Sequence, residues 1–492
     1  MEAPLGDQAG IPERVRLLVK VSSRFARAIS VPHGLMYAAG AVVAFHLAYS
    51  LRSLSALIVG YLFCLLQLAR LRSGRAAFYI ALAAGFLSAG PQLYCFWSIF
   101  GPPAIVVWLI LAFWIALFAA LVRLCRLRLP LWAPFLVPVL WTGLEFFRSE
   151  LYYLRFSWLN VGYAFAGVLP SPIFHALGMY GVGFGVAAIA VALSVLKPAT
   201  AAKVAVGVVA VFAAGLLLQT HGAFNRLTTA SKPLAVAGVQ LEFPSEAEVR
   251  LELGKLLKKA PDAQLLVLSE YTFLDTIPDS IKRWCREHQR YLIVGGKDPA
   301  PRGDFYDTAF VVGPTGEIVF RQGKSVPIQF FKDGLPAKEQ RLWESPWGRV
   351  GLCVCYDLSY TRVTDELVRS GAQAIIVPTM DVADWGRRQH ELHARVAPVR
   401  AAEYGISIFR LASSGISQQI DRSGHEVARA SFSGQGEMLA GEMQVGKAGS
   451  RPLDRWLAPI CAWATAGVCL WLVSIKCLRR QKLSVVTLIL CH

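Results

Sequence analysis

The sequence predicts a bundle of eight transmembrane helices that carries an α/β layered domain outside the membrane. Of the 492 residues, 55% are hydrophobic and 17% are charged, whereas an average soluble protein has about 25% charged residues. Seven apolar stretches precede residue 222 and an eighth follows residue 455. The region between them alternates strand and helix patterns. These observations exclude a wholly soluble protein and divide the chain into a membrane part and a globular part.

The apolar stretches approach the length of about 20 residues that a membrane-spanning helix needs, although the first two are shorter. They lie at residues 34–50, 54–68, 76–97, 104–122, 131–147, 173–196, 204–218 and 456–475. A single stretch of this kind could be a buried helix of a soluble protein. Eight in series favour a polytopic membrane bundle.

The basic residues indicate how the bundle is oriented. The chain has 50 Lys and Arg against 33 Asp and Glu, yet the region 223–456 is almost balanced, with 30 against 28. A nucleic-acid-binding protein would concentrate its basic residues on a soluble face, so we expect no nucleic-acid partner. In the termini and short connections, 17 basic residues fall on one side of the membrane and three, Arg52, Arg148 and Arg155, on the other. Since basic residues favour the cytoplasm, both termini are predicted to be cytoplasmic.

Five segments follow from this orientation. They are a basic cytoplasmic segment (1–30), a seven-helix bundle (31–222), an extracytoplasmic domain (223–455), an eighth transmembrane helix (456–477) and a cytoplasmic tail (478–492). The basic leader and first apolar stretch could also be a secretory signal, but the charge alternation favours a retained helix. Seven of the ten cysteines lie in or beside the membrane segments, so no disulfide framework is expected.

Strand and helix patterns alternate through the outer domain. Strands are predicted at 234–240, 265–268, 291–294, 309–312, 318–320, 350–355, 374–377, 407–411, 418–421 and 426–430, and helices at 246–259, 364–370 and 390–404. The turn residues at 313–316 and 422–424 predict two hairpins. Strands that alternate with helices, with hairpins added, are typical of a layered α/β domain.

Three strand ends carry polar residues that packing does not explain. Glu270 follows one apolar run, Lys324 follows a strand and a glycine, and Cys355 ends the run 350–355. Catalytic groups are common where a rigid strand passes into a loop. Taken singly, the three could be a surface carboxylate, a loop cation and a small buried apolar residue.

The flanking sequence makes the combination specific. Residues 346–358 (PWGRVGLCVCYDL) resemble the nucleophile segment of the nitrilase superfamily, and 369–378, 400–405 and 414–424 resemble its C-terminal half. This resemblance spans residues 233–446 and implies an α-β-β-α sandwich with Glu270, Lys324 and Cys355 as a catalytic triad. Cys353 would share a strand face with Cys355, but Cys355 has the motif position before Tyr356-Asp357. A metal site on the two cysteines lacks a second ligand pair, so no metal or cofactor is expected.

The predicted membrane helices restrict the resemblance to one family within the nitrilase superfamily. A nitrilase-like domain inserted before the last transmembrane helix is similar to the bacterial apolipoprotein N-acyltransferase family, and so are residues 156–163 (FSWLNVGY), 380–385 (MDVADW) and 389–390. Two departures stand out. The family follows its catalytic lysine with Val-Pro-Phe-Gly-Glu, whereas residues 326–333 (VPIQFFKD) have no acid at the matching place, and Asp357 replaces a more usual Glu.

The resemblance implies a ping-pong acyl transfer in the bacterial cytoplasmic membrane. Glu270 would act as general base for the Cys355 thiol, and Lys324 would stabilise the oxyanion. The donor would be a phospholipid of the bilayer, and the acceptor the α-amino group of the S-diacylglyceryl-cysteine of an apolipoprotein. Tyr356 and Asp357 are expected to contact substrate. Aromatic residues suited to a membrane interface form a predicted lid or entry, with core packing as the alternative: Phe330, Phe331, Trp343, Trp347 and Trp385.

Other functions remain open at this point. A membrane-anchored amidase would use the same triad with water as second nucleophile, and a non-catalytic scaffold would keep only the fold. A transporter would need charged or broken helices in the middle of the membrane, and Glu145 lies close to a helix end. His390 and His393 do not form the His-Glu-x-x-His zinc motif, and we interpret them as structural.

Overall fold

The computed structural model describes residues 28–196, 199–207, 210, 214 and 232–490, with the side chains of 475–490 excluded. The basic segment 1–27 and most of the predicted helix 204–218 lie outside the described residues. The predictions made for them therefore stay predictions.

The N-terminal region is helical at each predicted apolar stretch up to residue 196. The helices are α1 (Val31–Ser50), α2 (Leu57–Leu68), α3 (Gly74–Gln92), α4 (Cys95–Phe100), α5 (Ala104–Arg128), α6 (Ala133–Phe146) and α7 (Ser171–Val195). The stretch 76–97 is divided into α3 and α4 at Leu93, whose backbone angles of φ −111° and ψ 36° are not helical. Among the described residues, four helices are long and apolar enough to cross a membrane: Val31–Ser50, Ala104–Arg128, Ser171–Val195 and Asp454–Ser474. A count of eight spans is thus not established.

Helix α7 is kinked where it meets the outer domain. Gly178 has φ +70°, and a new helical segment begins at Met179. The amide N–H of Met179 donates to Glu403 Oε1 at 2.6 Å, and that of Tyr180 donates to Asp454 Oδ2 at 2.9 Å. The two carboxylates satisfy amides that a helix N-terminus leaves free and complement its dipole.

The outer domain contains two six-stranded sheets. The strands are β1 (Lys232–Val239), β2 (Leu265–Val267), β3 (Tyr291–Pro299), β4 (Phe305–Val312), β5 (Ile318–Gly323), β6 (Leu342–Ser345), β7 (Gly348–Leu352), β8 (Ala374–Thr379), β9 (Ser407–Ala412), β10 (Ser417–Ile420), β11 (Glu426–Ala430) and β12 (Met438–Val445). Their orders are β12-β1-β2-β3-β4-β5 and β11-β10-β9-β8-β7-β6. Both predicted hairpins, β4–β5 and β10–β11, are antiparallel pairs. Strands β6 and β12 were not predicted.

Helices pack against both sheets. The helices of this region are α8 (Glu246–Lys259), α9 (Asp279–His288), α10 (Thr361–Arg369), α11 (Arg387–Ala394), α12 (Val396–Tyr404) and α13 (Asp454–Leu490). Helix α8 packs against β1, and α12 packs against β9. Helix α8 has the predicted bounds, begins with a capping box at Ser245 and Glu248, and buries Val249, Leu253 and Leu256. Helix α9 was not predicted, and α13 extends beyond the predicted end of the last apolar stretch.

Two predicted elements differ from the structure in ways that affect the site. The strand expected over 350–355 ends at Leu352, and Cys355 begins a 3-10 turn instead. Cys353 and Cys355 therefore do not share a strand face. The helix expected over 390–404 is two helices, α11 and α12, because Pro398 has no N–H for the carbonyl of Ala394.

Candidate active site

Three strand ends bring Glu270, Lys324 and Cys355 together, as the sequence predicted. The residues follow β2, β5 and β7, and their exposed fractions are 1%, 1% and 2%. Lys324 Nζ donates to Glu270 Oε1 at 2.7 Å. The three groups form a buried cluster rather than a set of surface residues.

The backbone of Met380, which follows β8, links the carboxylate and the thiol. Its N–H donates to Glu270 Oε2 at 2.7 Å, and its carbonyl oxygen accepts from Cys355 Sγ at 3.7 Å. Cys355 has φ +50°, a conformation that costs a non-glycine residue free energy and is common at functional sites.

Gly295 permits the approach of Glu270. A Cβ at this position of β3 would lie 2.5 Å from the Glu270 Cα, which no side chain tolerates. The absence of a side chain lets the segment after β2 lie directly against β3. The Glu270 carboxylate then contacts Lys324, after β5 of one sheet, and Met380, after β8 of the other.

Lys324 contacts more carboxylates than the sequence predicted. Asp333 Oδ2 lies 2.8 Å from its Nζ, and Asp307 Oδ2, on β4, lies 3.4 Å away. Asp333 also accepts from the Ile328 N–H at 2.7 Å and from the Tyr271 hydroxyl at 3.0 Å. Asp333 thus places a carboxylate beside Lys324 from the loop after Pro327. Its residue type was visible in the sequence, but the path of the loop was not.

The charges of this cluster follow from burial and proximity. Burial raises the pKa of Glu270, but the Lys324 ammonium and hydrogen bonds outweigh it and hold that pKa below its usual value. Burial lowers the pKa of Lys324, but the carboxylates raise it well above its usual value. Burial and the charge of Glu270 raise the pKa of the Cys355 thiol. The resting site therefore has an ionised carboxylate, an ammonium and a protonated thiol.

Asp307 has a different protonation state. Burial, followed by the charge of Glu270, raises the pKa of Asp307 well above its usual value. Oxygen atoms of the two carboxylates lie within 4.8 Å of each other, and two like charges this close favour protonation of the acid with the raised pKa, Asp307. In the sequence, Asp307 stands out only as the one acid within the apolar strand β4.

Asp357 positions the Lys324 loop and was expected to contact substrate. Its carboxylate accepts from the Ser325 N–H at 2.9 Å and from the Val326 N–H at 2.7 Å. It is fully buried and is not among the residues that line the cavity at Cys355. Burial, partly offset by these backbone hydrogen bonds, raises the pKa of Asp357 to about 6. Tyr356, in contrast, lines the cavity, and its hydroxyl donates to the carbonyl of Arg155 at 3.1 Å.

An apolar cavity opens at Cys355 between the membrane helices and the outer domain. It has a volume of about 120 Å³. Bundle residues such as Phe96, Phe100, Leu111 and Trp158 form one wall, and domain residues form the other: Phe330, Phe331, Tyr356 and Trp385. The site thus lies at the junction of the two parts.

Three of the five aromatic residues predicted for a lid or entry line the cavity: Phe330, Phe331 and Trp385. The ring centroids of Phe330 and Phe331 each lie 5.9 Å from that of Phe100 on α4, and the centroids of Phe331 and Trp385 are 6.4 Å apart. The inclusion of Trp343 and Trp347 was wrong. These two side chains pack against Tyr291 at 5.6 and 5.3 Å and do not line the cavity.

Comparison with known proteins follows the same division of the chain. Residues 38–192 match the family described as the apolipoprotein N-acyltransferase N-terminal domain, and residues 259–446 match the carbon-nitrogen hydrolase family. The apolipoprotein N-acyltransferase of Geobacter metallireducens is 26% identical over 66% of this chain and 71% of its own length. The chain belongs to the apolipoprotein N-acyltransferase family.

A second curated relative agrees with this membership. The apolipoprotein N-acyltransferase of Azotobacter vinelandii is 27% identical over 70% of this chain and 72% of its own length. Saccharomyces cerevisiae Nit3, a solved member of the nitrilase superfamily, is 20% identical, with a TM-score of 0.39 over 44% of this chain and 93% of its own. The predicted superfamily and acyltransferase class are confirmed, and the family and the apolar helices indicate a bacterial inner-membrane protein.

Proposed function

We propose that this protein transfers a fatty acyl chain from a phospholipid to the N-terminus of an apolipoprotein. The acceptor is the α-amino group of an S-diacylglyceryl-cysteine, and the acyl chain is carried as a thioester on Cys355. The observation that carries the proposal is the position of Cys355 in an apolar cavity walled by membrane helices. A water-insoluble acyl chain can reach the thiol there without crossing bulk water.

The first half-reaction acylates Cys355. Glu270 accepts the thiol proton as the sulfur attacks the ester carbonyl, and Lys324 stabilises the oxyanion together with a backbone N–H near Tyr356. The C–O bond of the ester then breaks. The leaving glycerol oxygen takes the proton from Glu270, so that a lysophospholipid departs and the carboxylate is restored.

The second half-reaction passes the chain to the lipoprotein. The α-amino nitrogen attacks the thioester carbonyl, and the C–S bond breaks. Glu270 takes the proton that the nitrogen loses and returns it to the sulfur. The cycle regenerates the resting enzyme and makes an amide bond.

The carboxylates of Asp333 and Asp357 hold Lys324 and its loop in position for this chemistry. Asp333 neutralises the ammonium and holds the 327–333 loop through Ile328. Asp357 holds the neighbouring amides, and we assign it a positioning role in place of the substrate contact. Phe330, Phe331, Tyr356 and Trp385 contact the acyl chain in this proposal.

The proposed topology keeps the segments and boundaries predicted from the sequence. Eight helices span the inner membrane, both termini are cytoplasmic, and the catalytic domain faces the periplasm. The ratio of basic residues in the connections supports this orientation. The donor would then come from the outer leaflet.

Mass spectrometry tests the acyl-enzyme. After incubation with a phospholipid of one acyl composition, we expect Cys355 to gain the mass of one acyl chain, lost on treatment with hydroxylamine. Cys355→Ala should abolish both this adduct and the transfer. Cys353→Ala, which removes the neighbouring buried thiol, should keep them.

Other outcomes separate the alternatives. Turnover by Cys355→Ala would refute the nucleophile assignment. Release of ammonia from a small amide without acylation of Cys355 would identify an amidase. Absence of any thiol chemistry in the folded protein would leave a non-catalytic scaffold.

A further inference from the structure

Helix α11 presents two polar side chains to the cavity that the acyl-transfer chemistry above does not use. Gln389 and His393 are one helical turn apart, are 3% and 2% exposed, and line the cavity together with Cys355. The sequence indicated a structural role for His393, but its position beside the nucleophile gives it access to substrate.

Both side chains are held by one carboxylate oxygen. Gln389 Nε2 donates to Asp381 Oδ1 at 2.9 Å, and His393 Nδ1 lies 2.8 Å from the same atom. The other oxygen of Asp381 accepts from Arg410. Asp381 follows Met380, whose carbonyl contacts Cys355 Sγ. This anchoring orients both side chains close to the reacting sulfur.

The opposite ends of the two side chains have no partner in the described part of the chain. Gln389 Oε1 and His393 Nε2 are buried without a hydrogen bond. An ionised Asp381 can only accept, so the Gln389 amide must turn its oxygen away. The Arg410 guanidinium also lies 3.0 Å from His393 Nδ1 and donates to Asp381 Oδ2. We assign the His393 proton to Nδ1, because Asp381 Oδ1 accepts it at 2.8 Å. Burial lowers the pKa of His393 and keeps the imidazole neutral. Nε2 is then a free acceptor.

The two buried acceptor atoms, Gln389 Oε1 and His393 Nε2, would each form a hydrogen bond with an N–H or O–H group of a ligand. Leaving such atoms unpaired is unfavourable, so a ligand that supplies two N–H groups is favoured there. A neutral primary amine has two N–H groups and one lone pair. When both N–H groups are donated, the lone pair is the group that remains to attack.

We propose that Gln389 Oε1 and His393 Nε2 bind the α-amino group of the acyl acceptor and direct its lone pair at the Cys355 thioester. This inference rests on the proposed function and adds the place where the second substrate binds. A hydroxyl, with a single hydrogen, leaves one acceptor unpaired. The pair therefore favours the amine over return of the lysophospholipid that left in the first half-reaction.

The stacking of the imidazole supports this orientation. The His393 ring lies parallel to Trp158, with centroids 4.6 Å apart and planes at 20°. Trp158 Nε1 donates to Ser359 Oγ at 3.1 Å, which holds the indole in place. The histidine cannot rotate away from Asp381 without losing this contact.

Single substitutions at His393 and Gln389 test the proposed amine site, because they should affect transfer from the thioester but not its formation. His393→Asn keeps an amide N–H for Asp381 but has no acceptor at the Nε2 position, and Gln389→Met removes the amide oxygen. With phosphatidylethanolamine as donor, both variants should form the Cys355 thioester at a rate within about twofold of the parent. With a synthetic S-diacylglyceryl-cysteine peptide, kcat/KM for transfer should fall about tenfold, and the thioester should accumulate.

An N-methylated acceptor peptide distinguishes binding from a structural effect. Its secondary amine has one N–H, so the parent enzyme should prefer the primary amine by about tenfold. This preference should shrink to near unity in His393→Asn. His288→Asn is the matched control, because His288 also stacks on a tryptophan, Trp284 at 4.2 Å, but is remote from the cavity. It should behave as the parent.

Three results would overturn the inference. They are transfer by His393→Asn and Gln389→Met at the parental rate, equal loss of both half-reactions, and an unchanged preference between the two peptides. Failure of the proposed function is distinguishable, because the parent enzyme would then form no Cys355 thioester at all.

Discussion

At the scale of residues, the protonation of the acids around Lys324 determines whether Cys355 can react. One ammonium faces Glu270, Asp333 and Asp307. The site works as proposed only if Glu270 is ionised and free to accept a proton. Asp307 makes this possible by holding a proton itself, since burial and Glu270 raise its pKa. Asp333 supplies the remaining counter-charge.

Substitution of the two aspartates by asparagine should therefore have opposite results. Asp333→Asn removes a charge from Lys324 and weakens the acceptor for the loop, so the rate of Cys355 acylation should fall about tenfold or more. Asp307→Asn replaces a neutral acid by a neutral amide of the same shape and should stay within about threefold of the parent. Time-resolved mass spectrometry of the thioester at pH 7 measures both. A larger loss in Asp307→Asn than in Asp333→Asn would contradict this assignment of charge.

At the scale of elements, the site depends on where strands and helices end. The sequence predicted an element's end correctly where a local pattern marks it, as the apolar run before Glu270 does. The prediction was wrong where a contact with a distant residue sets the end, as the contact of Cys355 with Met380 does. The strand of Cys353 stops early because Cys355 must turn with φ +50° to meet Met380. The kink of α7 at Gly178 exists because Asp454 and Glu403 cap the next residues.

The kink gives a prediction on stability. In Gly178→Ala, the new Cβ would lie 2.1 Å from the Asp454 carboxylate carbon at φ +70°. The displaced cap and the strained backbone should cost about 1–3 kcal/mol, measured as a lower thermal unfolding midpoint of the detergent-solubilised protein. Gly185→Ala on the same helix is the matched control, because a Cβ there meets nothing within 4 Å. Equal midpoints for the two variants would exclude a special role for Gly178.

At the scale of the whole molecule, the domain and the bundle form one buried interface. Arg455, in the first turn of α13, pairs with Asp365 on α10 at 2.8 Å and with Glu403 on α12 at 3.1 Å. The Thr361 N–H donates to Glu150 Oε1, in the segment after α6, at 3.1 Å. Breaking one partner of a buried ion pair costs about 3–5 kcal/mol. This interface holds the cavity wall from the bundle in place against Cys355.

The orientation of this assembly is testable with paired cysteines. Arg52→Cys lies between α1 and α2, and Arg128→Cys lies at the end of α5, both at exposed positions. The connection that contains Arg52 has only one basic residue and is assigned to the periplasmic side, whereas the connection at Arg128 has three and is assigned to the cytoplasm. A membrane-impermeant maleimide should therefore label Arg52→Cys in intact spheroplasts. Arg128→Cys should react only after permeabilisation. The parent protein reports background labelling, and the reverse pattern would invert the proposed topology.

The sequence by itself determined the division into an apolar helical part and an α/β part, the family, and the choice of Glu270, Lys324 and Cys355 as candidate site residues. These features depend on run lengths, charge counts and short motifs, which are local properties of the chain. Only the tertiary structure decided that Asp333 and Asp307 lie beside Lys324 and that Trp343 and Trp347 lie away from the cavity. The same holds for Gln389 and His393, whose free acceptors depend on Asp381. Such contacts join separate elements, and the packing of two sheets against a bundle, rather than any local pattern, brings them within hydrogen-bonding distance.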